Sequence, residues 1–247
     1  MEVYADNLIE NLNRLCKPQI TIGEFRPQIS SAMSRLPDYA NLRMRMCRYV
    51  SLPQQARRMP GQVNHILDHG YAHLLQVLNP RTTVLTVHDV IPILAGRGKI
   101  RGAKLNGRRW LSEWTARYYK RARRIIAVSE CTKSDLVKHC GCDSERISVI
   151  YPGIDSTFFR DKRPEKREYR NSFGLPHLGV KLVLITGQEF YKNQIVSLRV
   201  MEALRERYGH SIWLVRLGRR NPEWDREIER SSVQNQIFYL QDLPSDK

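Results

Sequence analysis

The sequence predicts an α/β fold made of two parallel-sheet units. Short runs of β-branched and apolar residues alternate with amphipathic segments along most of the chain, the order that parallel strands and their covering helices produce. The strand candidates, such as residues 81–88 (RTTVLTVH) and 147–151 (ISVIY), are rich in β-branched and apolar residues without strict alternation, as expected for strands buried on both faces. A charged stretch almost devoid of apolar residues, 160–170 (RDKRPEKREYR), then divides the alternation into two blocks.

Taken in order, Tyr4, Leu8, Leu12 and Leu15 recur at spacings of three and four and predict an opening helix. Residues 18–60 have poor periodicity; a short strand over 19–23 and a helix around 39–50 are the expectations there. A buried strand follows at 62–67, a short helix at 71–78 and the clearest strand at 81–88. A long helix is expected over 106–124, a strand over 125–129, a helix over 132–139 and a strand over 147–151. Pro152-Gly153 is a turn signal. Beyond the charged stretch come a strand at 180–186, a helix at 194–208, a strand at 211–217, a helix near 223–231 and a strand at 236–240. The expected organisation is a first unit over 1–155, a hinge over 156–178 and a second unit over 179–247. Three strands are fewer than a doubly wound domain normally uses, so the second unit is expected to be incomplete.

Composition narrows the class. The 247 residues include 41% hydrophobic ones, enough for a core, which argues against a wholly disordered chain. No apolar run approaches the roughly 20 residues that cross a bilayer, and the acidic, amphipathic start is unlike a secretory signal. Five cysteines without a CxxC pair disfavour a disulfide framework and a Cys-rich zinc module and suit a reducing, cytoplasmic setting. The formal charge of +16 is concentrated: residues 97–124 hold 11 basic side chains and one acidic one, Glu113. Arg108, Arg109, Arg117, Lys120, Arg121 and Arg124 form the core of this patch. As a helix it would carry Trp110, Leu111, Trp114, Tyr118, Ala122 and Ile125 along one stripe. Such a helix is either scaffold packed on the sheet or a surface for anionic membrane, peripheral on the inner face. Nucleic acid is the weaker third option, since no known nucleic-acid module accompanies the patch.

Phosphate-loop patterns are absent: there is no GxxxxGK[ST], and Gly96, Gly98 and Gly102 are wrongly spaced for GxGxxG. That excludes a P-loop NTPase. His65, His69 and His73 are four apart, which on one helix would suit a metal. His65 lies in an expected strand, however, so a structural or cleft-lining role is favoured and no metal is expected. Asp68 and His69 fall at the carboxyl edge of one strand, and His88-Asp89 at that of the clearest strand, where open α/β sheets bind ligands. From position alone His88 is either functional or a satisfied structural histidine. Lys192-Asn193 precedes a helix start, where free N–H groups and the dipole favour an anion; a solvated loop lysine is the alternative.

Four segments together resemble the retaining nucleotide-sugar glycosyltransferases of family 4, also called glycosyl transferases group 1. Residues 2–12 (EVYADNLIENL) are similar to the family's first helix and 86–94 (TVHDVIPIL) to the strand end bearing its active-site histidine. Residues 124–155 (RIIAVSECTKSDLVKHCGCDSERISVIYPGID) resemble the run that closes the first domain. Residues 182–204 (LVLITGQEFYKNQIVSLRVMEAL) resemble the strand, phosphate-contacting loop and helix that open the second. The resemblance implies a GT-B architecture of two Rossmann-like units and metal-independent transfer, with retention, from a nucleotide-sugar donor to a saccharide or lipid-linked acceptor. It needs no cofactor beyond that donor. By the same resemblance His88 contacts the transferred sugar, Lys192 neutralises the donor diphosphate and Gly187 admits close backbone approach. The family's first strand with its Gly-rich loop has no counterpart before Glu2, nor its acidic donor motif after Asp242. A fragment truncated at both ends, with little activity alone, is therefore expected; a non-catalytic basic module is the alternative.

Overall fold

In the computed structural model the described residues are 2–16, 18–26, 42–59, 61–100, 109–154, 165–176, 179–187, 192–218 and 222–241. The chain divides into two compact units, Met1–Phe158 and Phe159–Lys247, each with its own parallel sheet.

The first unit opens with helix α1 (Glu2–Cys16). The strand expected over 19–23 does not form: residues 18–26 carry no ladder, and Arg26 instead pairs with Asp6 on α1 and with Glu24. Helix α2 (Leu42–Met46) continues through a π-helical turn (Cys47–Ser51) into α3 (Leu52–Arg57), so the helix expected around 39–50 extends beyond residue 50, while its residues 39–41 lie outside the described residues. Strand β1 (Asn64–Ile66) leads into a 3-10 helix (His69–Gln76), and β2 (Thr83–Val87) into α4 (Ile91–Gly96). Helix α5 (Arg109–Ala116), a 3-10 turn (Tyr119–Arg121), β3 (Arg124–Ala127), α6 (Glu130–Cys140) and β4 (Ile147–Val149) complete the unit. The sheet order is β1-β2-β3-β4, all parallel, with Leu85 opposite both Ile66 and Ile125. Leu75, Leu85, Val87, Ala122, Ala127 and Leu136 have no exposed surface and form its core.

The helix expected over 106–124 is corrected on two points. It ends at Ala116 because the chain must turn into β3: Ala122 is extended, and the Arg123 N–H already donates to Thr83 O across the sheet. The expected apolar stripe also fails at Trp110, which is 66% exposed, while Tyr119 takes a core position. Residues 106–108, Arg108 included, lie outside the described residues.

In the second unit α7 (Lys166–Ser172) occupies part of the stretch expected to be a hinge. Its Arg170 donates to Pro176 O and Val180 O, which ties that charged segment to the entrance of the next strand. Strand β5 (Lys181–Thr186), α8 (Gln194–Tyr208), β6 (Ile212–Leu217), α9 (Pro222–Glu229) and β7 (Ile237–Leu240) follow. The three strands are parallel in the order β5-β6-β7, and Leu198, Met201, Leu214, Trp224 and Val233 pack between helices and sheet.

Candidate functional site

In the first unit the residues following β1 and β2 meet at the carboxyl edge of the sheet, because the two strands are neighbours in parallel register. His88 is fixed from several sides. Its ring Nε2 lies 2.9 Å from Leu67 O, its N–H donates to His69 Nδ1 at 3.4 Å, and its carbonyl accepts from Thr132 Oγ1 at 3.2 Å. The Tyr4 ring meets the imidazole edge-on at 5.3 Å. A carbonyl only accepts, so Nε2 carries the proton, and in the neutral ring Nδ1 is the acceptor. The tautomer is thus set by the main chain.

His69 stands 6.4 Å from His88 and 6.2 Å from Tyr119, ring to ring. Burial pushes its pKa below the ordinary histidine value, against the opposing pull of the Asp68 and Asp89 carboxylates. Asp68 Oδ1 accepts from Gly70 N–H at 2.8 Å and caps the 3-10 helix, while Asp89 Oδ1 accepts from Ile91 N–H at 2.9 Å. All four candidates of this edge, Asp68, His69, His88 and Asp89, are therefore adjacent, with one oxygen of each carboxylate committed to shaping its turn.

His65 and His73 diverge from this cluster. His65 bonds to Thr86 Oγ1 at 2.8 Å, and His73 is fully buried with Nε2 2.9 Å from Arg48 O. The three histidines share no face, since one lies in a strand and two in a 3-10 helix with a different repeat. Among the described residues no group of three or more His, Cys, Asp or Glu is placed to hold a metal.

The second unit presents its own sheet edge. Gly187, directly after β5, has φ +94°, a backbone that favours glycine. Lys192 is exposed and precedes Asn193, whose left-handed backbone (φ +48°) brings the chain into α8. Asparagine tolerates that region better than most residues. The Gln194 amide donates to Gly187 O and, at 3.4 Å, to Thr186 O, closing the strand end against the helix start. Its carbonyl oxygen accepts from Arg216 Nε at 3.2 Å and Nη2 at 2.8 Å. Arg216 is on β6, has no exposed surface and lies 5.0 Å from the Trp224 ring. Burial lowers its pKa, opposed by Tyr239 and Asp225. Neither Arg216 nor Gln194 was expected from sequence; the available signal was a lone cation inside the apolar run 212–217 (IWLVRL).

The described basic side chains of this segment stay exposed, but several are paired within the chain. Arg97 makes a two-bond pair with Glu113 at 2.6 and 2.7 Å, and Arg124 donates to Glu145 O at 2.8 Å. Lys120 Nζ lies beside Gly141 at the carboxyl end of α6, where a cation complements the dipole. Arg121 stacks over Tyr118 at 5.6 Å, and Arg117 is exposed; the Arg109 side chain lies outside the described residues. No disulfide joins the five cysteines, and burial raises Cys140 to about 12 and Cys142 to about 11, which makes those two unreactive. No helix of the described residues is long and apolar enough to cross a membrane.

The family model of Glycosyltransferase Family 4 matches residues 1–158. The chain belongs to that family. No curated protein matches this family member in sequence. Among solved structures it is similar to Anabaena Alr3699/HepE in complex with UDP-glucose, with a TM-score of 0.58 and 14% identity over 79% of this chain and 52% of that one. A UDP-forming α,α-trehalose-phosphate synthase from Burkholderia xenovorans gives 0.54 and 14% over 83% and 54%. The chain thus spans about half the length of the structures it matches. Likeness at this identity shows the fold, the α/β class of GT-B glycosyltransferases with two Rossmann-like parallel-sheet units.

Proposed function

We propose that this protein takes part in sugar transfer from a nucleotide-sugar donor to a saccharide or lipid-linked acceptor, with retention and without a metal. The observation that carries the reading is the family match over 1–158, the unit in which His88 is fixed at the sheet's carboxyl edge. UDP-glucose in the HepE complex supports a nucleoside-diphosphate sugar as donor class. In the reaction the bond from the anomeric carbon to the diphosphate oxygen breaks. An acceptor hydroxyl oxygen bonds to that carbon and releases its proton to solvent, and the nucleoside diphosphate leaves with one more negative charge. Lys192 and the start of α8 neutralise that charge, a contribution that grows in the transition state. Gly187 lets the backbone approach the donor. His88, with its Nε2 proton tied to Leu67 O, offers Nδ1 to a sugar hydroxyl.

The test is calorimetric binding of UDP, ADP and GDP to the 247-residue chain, followed by turnover with the matching nucleotide sugars. Lys192→Ala should weaken nucleoside-diphosphate binding about tenfold or more, as expected for loss of one charge-assisted contact. His88→Ala should bind the nucleoside diphosphate normally and lower turnover wherever turnover is measurable. A wild-type chain that binds none of the three nucleotides refutes the donor-site reading.

A further inference from the structure

In an apolar strand of the second unit one position breaks the pattern. Ile212, Leu214 and Arg216 alternate along β6 on the face that packs under the helices; the first two are buried apolar residues, and Arg216 is equally buried. Removing a guanidinium from water is costly, and an apolar side chain of similar volume would be accommodated at lower cost. A buried guanidinium is tolerated only where its N–H groups are well paired. Two of its N–H groups converge on one oxygen, Gln194 Oε1, at 3.2 and 2.8 Å. The other end of that amide donates to Gly187 O, and to Thr186 O at 3.4 Å. Because Gln194 Oε1 faces the guanidinium, its NH2 group is forced to face the strand end. Arg216 is directly opposite Ile185 in the β5–β6 register, two positions before Gly187. The Trp224 ring, 5.0 Å from Arg216 Cζ, closes the far side, and Trp224 is itself fixed by a 3.0 Å bond to Tyr239 Oη.

We propose that Arg216 is a positioning residue for the donor diphosphate: acting through Gln194, it fixes Gly187 and the first residue of α8 in the geometry that the phosphates meet. This inference rests on the donor-site reading above. It also gives the second unit a specific cause for binding affinity that lies outside Lys192 itself. The fork geometry, not the charge alone, is what matters, since a lysine ammonium cannot direct two parallel donors at one amide oxygen in the same way.

The experiment is calorimetric titration of UDP, ADP and GDP into wild type, Arg216→Lys, Arg216→Met, Gln194→Leu and the double variant Arg216→Met with Gln194→Leu. Thermal melting of each is recorded in parallel. Gln194 is half-buried at a helix start, so its variant keeps the test open should the Arg216 variants fail to fold. The expected result is a loss of tenfold or more in affinity for each single variant, Arg216→Lys included. The double variant should be no weaker than the worse single one, because both act through one relay. Wild-type affinity in Arg216→Lys or Gln194→Leu, with binding lost in Lys192→Ala, overturns the inference and leaves the donor site standing. Fully additive losses also overturn it. A wild-type chain that binds no nucleotide refutes the donor site, and the inference falls with it.

Discussion

At the scale of single residues, the sheet edge of the first unit is organised by main-chain groups that select a side-chain state. His88 takes its tautomer from Leu67 O, and His69 receives the His88 N–H on Nδ1, so the two imidazoles present different nitrogens despite being neighbours. Next to them Gly70 is required by close approach. A Cβ at Gly70 would lie 2.7 Å from Arg48 Nη2 and 3.2 Å from Asp68 Oδ1. Arg48 cannot simply swing away: it donates to Gly70 O at 2.6 Å and stacks on Tyr71 at 4.4 Å. Gly70→Ala should therefore destabilise the protein by about 1–3 kcal/mol, the usual cost of overpacking. Urea unfolding would read this as a lower midpoint at unchanged slope; wild-type stability would mean that Arg48 moves freely. None of this was readable in the sequence beyond the glycine itself, because Arg48 and Gly70 are brought together only by the π-helical turn packing on the 3-10 helix.

At the scale of elements, α6 shows how local rules and the site are joined. Ser129 caps its start by accepting from Thr132 N–H at 3.1 Å, and Gly141, at φ +62°, closes its end with Cys142 N–H reaching Leu136 O at 3.2 Å. Thr132, positioned by that cap, donates to His88 O. Ser129→Ala should cost about 1 kcal/mol of stability and also loosen Thr132. The check is thermal unfolding combined with the His88 imidazole NMR shifts, which a remote helix cap would leave unchanged. This element was legible: the helix expected over 132–139 is within two residues of the observed Glu130–Cys140 at each end, the usual margin at helix termini. The basic helix was not, because nothing in residues 117–123 breaks a helix by propensity. Its end is imposed by the Arg123 N–H bond to Thr83 O and the entry into β3, a tertiary constraint. Likewise the half-buried carboxylates Asp68 and Asp89 could be assigned to strand edges from pattern, whereas Arg216 and Gln194, 22 positions apart, meet only through parallel pairing.

For the whole molecule, the buried histidines link protonation to folding. His69 and His73 both have pKa values lowered chiefly by burial; for His73 main-chain bonds to Arg48 and Gly70 oppose the effect and the Arg48 guanidinium adds to it. His73 is enclosed by Tyr49, Tyr71 and Trp114 rings, 4.9 to 6.1 Å away. A proton there would create a desolvated charge next to the cationic Arg48. Since the folded pKa lies below the unfolded one, these groups cost nothing above about pH 6.5, where both states are neutral. As the pH falls from there towards the folded values, the unfolded chain binds more protons and stability declines. Each histidine can then remove up to about 1.4 kcal/mol per pH unit. The melting temperature, measured from pH 8 to 5 at constant ionic strength, should therefore hold above about pH 6.5 and drop below it. His73→Phe keeps an aromatic ring in the stack and removes one titrating group, so its curve should fall less steeply in that window. An identical slope in the variant would mean that the acid loss originates elsewhere in the protein.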